Sequence, residues 1–138
     1  MLYAPTWYSA DHRFHHSSLR IGTAIVSALL ARNATVIFRP HPANRRLPEA
    51  AAAIAEIHEL LRVDAEATSR PHRWDAAASE PTFAELANAA DAMVADVSGV
   101  VTDFMQSLKP FAMVATGDKT DIFRARFPSS RSAYVIEW

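Results

Sequence analysis

The chain has 138 residues, of which half are hydrophobic and 21% are charged, and its formal net charge is −1. This size and composition are typical of one globular domain and exclude disordered and fibrous proteins. The nearly neutral balance argues against a nucleic-acid partner, which usually requires a basic surface. The sequence contains no cysteine, which excludes a disulfide scaffold and a thiolate metal site. No apolar run approaches the roughly 20 residues that span a bilayer.

Apolar strands alternate along the chain with segments of helical length. In chain order, we expect strands at 2–4, 35–39, 92–95, 111–115 and 134–137, and a shorter strand at 73–76. The expected helices are 18–32, 47–62, 83–90, 99–108 and 122–127, and the fourth of these is expected to be capped by Ser98. This order predicts an α/β fold, a Rossmann-like parallel sheet with helices on both faces. Because the first strand begins at residue 2, we expect residues 1–138 to be one domain of a longer protein.

Polar residues follow the second strand, in the segment Arg39-Pro40-His41-Pro42. The carboxyl ends of parallel strands form crevices that bind ligands. Arg39 is suited to clamping a phosphate with two hydrogen bonds, and His41 is suited to donating to a phosphoryl oxygen or to transferring a proton. The prolines restrict the backbone and so favour aimed side chains. The alternative is a surface turn with a solvated arginine and histidine.

A second polar segment follows the strand at 92–95 and contains Asp96, Ser98, Gly99 and Asp103. Ser98 and Gly99 open a helix, where unpaired amides can accept a phosphate group; the alternative is an ordinary helix cap. Asp96 is expected to orient His41 or a loop amide, or to hold a cation. Asp103 is expected to accept hydrogen bonds from ligand hydroxyls, or else to be a surface carboxylate.

Other conspicuous residues receive simpler interpretations. The spacing of His12, His15 and His16 matches no common set of metal ligands, so we predict a solvated loop and no metal site. Arg45 and Arg46 are predicted to be solvated. The tryptophans at positions 7 and 74 are predicted to be packing residues.

Four segments together resemble the CDP-glycerol glycerophosphotransferases, the teichoic-acid polymerases and primases of bacterial cell walls. The segments are Leu2-Tyr3-Ala4-Pro5-Thr6-Trp7, Arg39-Pro40-His41-Pro42, Ala95 through Phe104, and Lys109-Pro110-Phe111. The resemblance implies the C-terminal, nucleotide-binding half of a two-domain GT-B transferase. It implies transfer of glycerol phosphate from CDP-glycerol to a lipid-linked acceptor at the inner face of the cell membrane, with the acceptor domain outside this chain.

The resemblance also implies roles for individual residues. His41 is then catalytic or contacts phosphate, and Thr6, Arg39, Ser98 and Asp103 surround the donor. The chain departs from the family at Val97 and Gly99, where tyrosine and a second serine are usual, so one hydroxyl contact is lost while the backbone donors remain. No cofactor is implied beyond the donor substrate, although a divalent cation is compatible with it. We expect the isolated domain to bind nucleotide without turnover.

Two other functions remain open. The first is half of a GT-B glycosyltransferase or epimerase that uses a UDP-sugar, since this would share the sheet and the diphosphate site. The second is a degenerate, non-catalytic nucleotide-binding module, which the Gly99 departure keeps open.

Overall fold

The computed structural model of the chain describes residues 1–9 and 16–138. The interpretation of His12 and His15 therefore lies outside the described residues.

The described residues contain a five-stranded sheet in which every pairing is parallel. Its strands are β1 (Leu2–Ala4), β2 (Ile37–Phe38), β3 (Met93–Ala95), β4 (Phe111–Ala115) and β5 (Tyr134–Glu137), arranged in the order β2-β1-β3-β4-β5. The direction of winding reverses at β1, so the loops that follow β1 and β3 diverge and leave a crevice at their carboxyl ends. The α/β, Rossmann-like fold is confirmed.

Six α-helices connect these strands within the described part of the chain. They are α1 (Gly22–Leu30), α2 (Pro48–Thr68), α3 (Ala76–Ser79), α4 (Phe83–Ala89), α5 (Gly99–Met105) and α6 (Thr120–Arg126). In the same described residues, three short 3-10 helices cover Ser18–Ile21, Pro42–Arg46 and Pro128–Ser132. No helix among the described residues is long and apolar enough to cross a membrane.

Alternation along the strands sends side chains into two separate apolar layers. In β1, Leu2 and Ala4 join one layer while Tyr3 joins the other, because successive side chains of a strand point to opposite faces. The first layer packs against α4, α5 and α6, and the second packs against α1 and α2. Burial of both faces is typical of parallel sheets and explains why the strands are almost wholly apolar.

Several predicted boundaries were wrong. The predicted helix at 18–32 starts as a 3-10 turn and becomes α-helical only at Gly22. The helix predicted at 47–62 continues to Thr68, where Ser69 ends it in a left-handed conformation. The predicted strand at 73–76 is a single bridge between Arg73 and Ile37, and α3 begins directly after it.

A polar network explains why α2 is longer than predicted. Asp64, in the added turn, bonds to His72 Nε2 at 2.8 Å and accepts from the Arg70 guanidinium at 3.0 Å. His72 Nδ1 accepts a hydrogen bond of 2.9 Å from the buried amide of Val36. The network therefore fixes the segment after α2 against the edge of β2.

Candidate functional site

A crevice of about 510 Å³ lies at the carboxyl ends of β1, β2 and β3. Phe83, at the start of α4, contributes an aromatic wall. Six of the seven predicted site residues line the crevice: Thr6, Arg39, His41, Ser98, Gly99 and Asp103. The seventh, Asp96, is fully buried. The topology thus brings together residues that are as much as 97 positions apart in the sequence, counted from Thr6 to Asp103.

The backbone of Thr6 is held from both sides by side chains of distant elements. Its amide donates to Asp96 Oδ2 at 2.8 Å. Its carbonyl accepts from Ser17 Oγ at 3.0 Å and from Asn44 Nδ2 at 3.1 Å. Fully buried Asn44 also accepts the amide of Tyr8 at 2.7 Å, so it fastens the loop after β1 at two points. The position of Thr6 in the crevice is therefore fixed before any ligand arrives.

Asp96 is a buried carboxylate that organises two backbone segments. Its Oδ2 accepts hydrogen bonds from the amides of Thr6 and Ser18, the second at 2.9 Å. Its Oδ1 is shielded from solvent and has no hydrogen-bond partner among the described residues. Burial raises the pKa of Asp96 to about 6, against the opposing effect of the hydrogen bonds from Ser18 and Thr6. The sequence predicts that Asp96 orients His41 or a loop amide, or holds a cation. The structure shows the contact with loop amides.

The guanidinium of Arg39 is partly engaged by the protein itself. Its Nη1 donates to the carbonyls of Ala78 at 2.8 Å and Pro81 at 2.7 Å. These bonds fix the α3 segment against the end of β2. The Nε and Nη2 edge carries the remaining N–H donors of the guanidinium, in a geometry suited to a second bidentate contact.

His41 is exposed and directly follows the end of β2. Its amide donates to the Pro5 carbonyl at 3.1 Å, and its Nδ1 accepts from the Ala43 amide at 3.2 Å. Because Nδ1 accepts, the neutral ring carries its proton on Nε2. The neutral imidazole is thus prepared to donate a hydrogen bond through Nε2.

The two prolines beside His41 occupy positions that need no amide. The amides of Ile37, Arg39 and His41 point inward and donate to the carbonyls of residues 1, 3 and 5. Pro40 and Pro42 fall on the alternate, outward positions, where proline removes no ladder bond. The prolines therefore extend the β1–β2 ladder to the mouth of the crevice without disturbing it.

Ser98 and Gly99 line the crevice at the start of α5. Ser98 is the N-cap residue of α5, as predicted, but its side chain makes no capping hydrogen bond. Its Oγ is buried and unpartnered among the described residues. A Cβ added at Gly99 would meet no atom within 4 Å. Exposed Asp103 lies one turn further along α5 and also lines the crevice.

The predictions for residues outside the crevice were partly wrong. Trp7 is 48% exposed, so its assignment to packing was wrong, whereas Trp74 is half-buried and packs against the α1–α2 layer. His16 is half-buried and contacts the Phe127 ring edge-on at 5.3 Å, so it is not a freely solvated residue. Arg45 is exposed and pairs with Asp75 at 2.6 Å. No cluster of three potential metal ligands occurs in residues 1–9 and 16–138.

Sequence reasoning missed the residues that position the site. Asn44, Ser17 and the contact between Arg39 and the α3 segment all depend on tertiary proximity. The sequence gives Lys109 no role beyond its place in the segment Lys109-Pro110-Phe111. Its ammonium donates to the carbonyls of Ala87, Asn88 and Ala90 at 2.7–2.9 Å, so it closes the end of α4.

The parallel sheet with a reversal at β1, and the polar crevice at that reversal, define a Rossmann-like domain of the ligand-binding type. The family model for CDP-glycerol:poly(glycerophosphate) glycerophosphotransferase matches residues 1–124, and the chain belongs to this family. The match includes every residue that lines the crevice. It confirms the resemblance and indicates a transferase of the glycerophosphotransferase type, in teichoic-acid synthesis. No curated protein and no solved structure matches the chain.

Proposed function

We propose that the chain binds CDP-glycerol and forms the donor-binding half of a glycerophosphotransferase. The observation that carries this proposal is the crevice at the carboxyl ends of β1, β2 and β3, where residues from three strand ends converge. Its volume of about 510 Å³ falls in the range of pockets that bury small-molecule ligands. The family match supplies the class of donor.

The diphosphate is expected to lie between β2 and the start of α5. Ser98 Oγ lacks a protein partner among the described residues, and the first amides of a helix have no partner within the helix. The Nε and Nη2 edge of Arg39, which has no partner among residues 1–9 and 16–138, and the Nε2 proton of His41 add further donors. Because α5 has only seven residues, we assign the stabilisation to these local donors rather than to a helix dipole. Asp103 is then available to the hydroxyls of glycerol or ribose.

In the proposed reaction an acceptor hydroxyl attacks the phosphorus that carries glycerol. The new P–O bond forms as the bond to the CMP oxygen breaks, and CMP leaves. Donors at Arg39, His41 and Ser98 stabilise the charge that develops on the phosphoryl oxygens. The acceptor hydroxyl must also lose its proton to a base.

The hydrogen bonding of His41 argues that this base lies elsewhere. In the neutral ring Nδ1 accepts from the Ala43 amide and Nε2 carries the proton, so Nε2 is arranged to donate a hydrogen bond rather than to accept a proton. We therefore place the base, together with a lipid-linked acceptor, on the other half of a two-domain GT-B enzyme at the inner membrane face. The chain alone is expected to bind donor without turnover.

Calorimetric titration with CDP-glycerol, CDP and UDP tests the proposal. We expect the cytidine ligands to bind, and Ser98→Ala and His41→Ala each to weaken CDP-glycerol binding by up to about tenfold, the effect of one hydrogen bond. Ser27→Ala, an exposed serine on α1, is the matched control and should leave the affinity unchanged. Preference for UDP would instead support a UDP-sugar enzyme. Failure to bind any nucleotide would support a degenerate module.

A further inference from the structure

A second compartment of about 240 Å³ adjoins the crevice. The two share Arg39, Pro40 and Pro42 as lining residues, so a ligand can extend from one into the other. Beyond this shared wall the compartment is lined by Phe38, Ala78, Ser79 and the ion pair of Arg45 and Asp75. None of the predicted site residues except Arg39 lies in it.

We propose that this compartment binds the pyrimidine base of the nucleotide, and that Arg45 and Asp75 select cytosine over uracil. The inference rests on the proposed function, because it assigns the base of the same donor. Pro40 and Pro42, neither of which is buried, offer apolar surface to the faces of a planar ring. The phosphates then remain in the larger crevice.

The ion pair presents the hydrogen-bonding pattern that cytosine requires. Arg45 Nη2 lies 2.6 Å from Asp75 Oδ1, so a donor group and an acceptor group stand side by side. The edge of cytosine carries an amino donor at N4 beside acceptors at N3 and O2. A carboxylate accepts from N4, as in recognition of cytosine by acidic side chains, while a guanidinium donates to the acceptors. Uracil would place its O4 acceptor against the carboxylate.

The backbone of Asp75 supports a functional role. Its φ of 52° and ψ of −126° are costly for a residue with a side chain, yet its side chain is 59% exposed and gains little from packing. The carbonyl of Asp75 accepts the amides of Ala78 and Ser79, so the first turn of α3 enforces this conformation. The strained backbone therefore holds the carboxylate beside Arg45 at the rim of the compartment.

The binding ratio of CDP to UDP tests this assignment. Asp75→Asn is the informative change, because asparagine tolerates positive φ and its amide can either accept from N4 of cytosine or donate to O4 of uracil. We expect the wild-type chain to bind CDP more tightly than UDP. In the variant, the ratio of CDP affinity to UDP affinity should be at least about tenfold smaller. Asp118→Asn is the matched control, since Asp118 forms an equivalent pair with Arg126 at 2.6 Å away from the crevice. It should keep the wild-type ratio.

The outcomes separate this inference from the proposed function. If CDP-glycerol binds and Asp75→Asn keeps the wild-type ratio, the inference is overturned while donor binding stands. A wild-type preference for UDP overturns the inference as well. If neither nucleotide binds, both proposals fail. A thermal melt of Asp75→Asn, matching the wild type, establishes that a changed ratio does not come from unfolding.

Discussion

The Asp96 carboxylate accepts a hydrogen bond of 2.8 Å from the amide of Thr6, across 90 residues of sequence. This contact joins the loop after β1 to the end of β3, the two strands between which the crevice opens. A buried charge is costly, so the protein gives up stability to fix the loop that carries Thr6.

The raised pKa of Asp96 makes the free energy of unfolding depend on pH. Because the folded state raises the pKa to about 6 from 3.8, it binds more protons than the unfolded state between these values, and stability falls as pH rises through this window. The contribution of Asp96 should decrease by about 2 kcal/mol between pH 4 and pH 6, and by about 3 kcal/mol over the whole titration, before it levels off above about pH 7. Chemical denaturation at several pH values gives the free energy of unfolding of the wild type and of Asp96→Asn, and the difference between the two isolates the contribution of Asp96. Parallel stability curves for the two proteins would contradict this prediction.

Replacement of Asn44 should disturb both stability and the site. Asn44→Ala removes one of the two hydrogen bonds to the Thr6 carbonyl and the bond that Asn44 accepts from the Tyr8 amide, and loss of a buried hydrogen-bond partner costs about 1–3 kcal/mol. We expect a loss of about 2–4 kcal/mol in the free energy of unfolding. Asn88→Ala, at an exposed position of α4, should change it by less than about 0.5 kcal/mol. Equal effects of the two changes would show that Asn44 does not fasten the loop.

The two glycines at positions 99 and 117 should respond differently to substitution. A Cβ meets nothing within 4 Å at either glycine, but only Gly117 has a positive φ, of 84°. We expect Gly117→Ala to destabilise the fold by about 1 kcal/mol, and Gly99→Ala to be neutral or stabilising. Gly99→Ser would in addition present a hydroxyl at the start of α5 and should strengthen donor binding. Thermal melts and titration with CDP-glycerol measure both effects.

The two nitrogens of His41 can be tested separately. Glutamine places an amide near the position of Nε2, whereas asparagine places one near Nδ1. If Nε2 donates to the donor phosphate, His41→Gln should keep CDP-glycerol affinity within about threefold, and His41→Asn should lose up to about tenfold. Retention of affinity by His41→Asn but not by His41→Gln would assign the contact to Nδ1 instead.

The strands and the composition of the crevice were predictable because their signals are local. An apolar run such as β4 matches its predicted bounds at both ends, and polar residues at the ends of parallel strands meet by topology alone. The roles of Asn44 and Asp96 were not predictable to the same degree. Asn44 shows no pattern of its own, and the choice of partner for Asp96 depends on where the loop after β1 returns.

The predicted helix boundaries were wrong for a related reason. The additional turns of α2 are stabilised by Asp64, whose partners Arg70 and His72 lie beyond the helix, so periodicity within the helix carries no sign of them. The segment that follows is predicted to be a strand, but tertiary contacts limit it to one bridge at Arg73. Such contacts override local propensity.

The alternation of amides along β2 has a consequence for association between molecules. An edge strand with free outward amides is a template for pairing with another chain. Here the outward amides of Val36 and Phe38 are taken by His72 and by the Arg73 carbonyl. Further along, Pro40 and Pro42 have no amide to offer. From residue 36 to residue 42 this edge of the sheet presents no free backbone amide, so it resists edge-to-edge aggregation while the mouth of the crevice stays open.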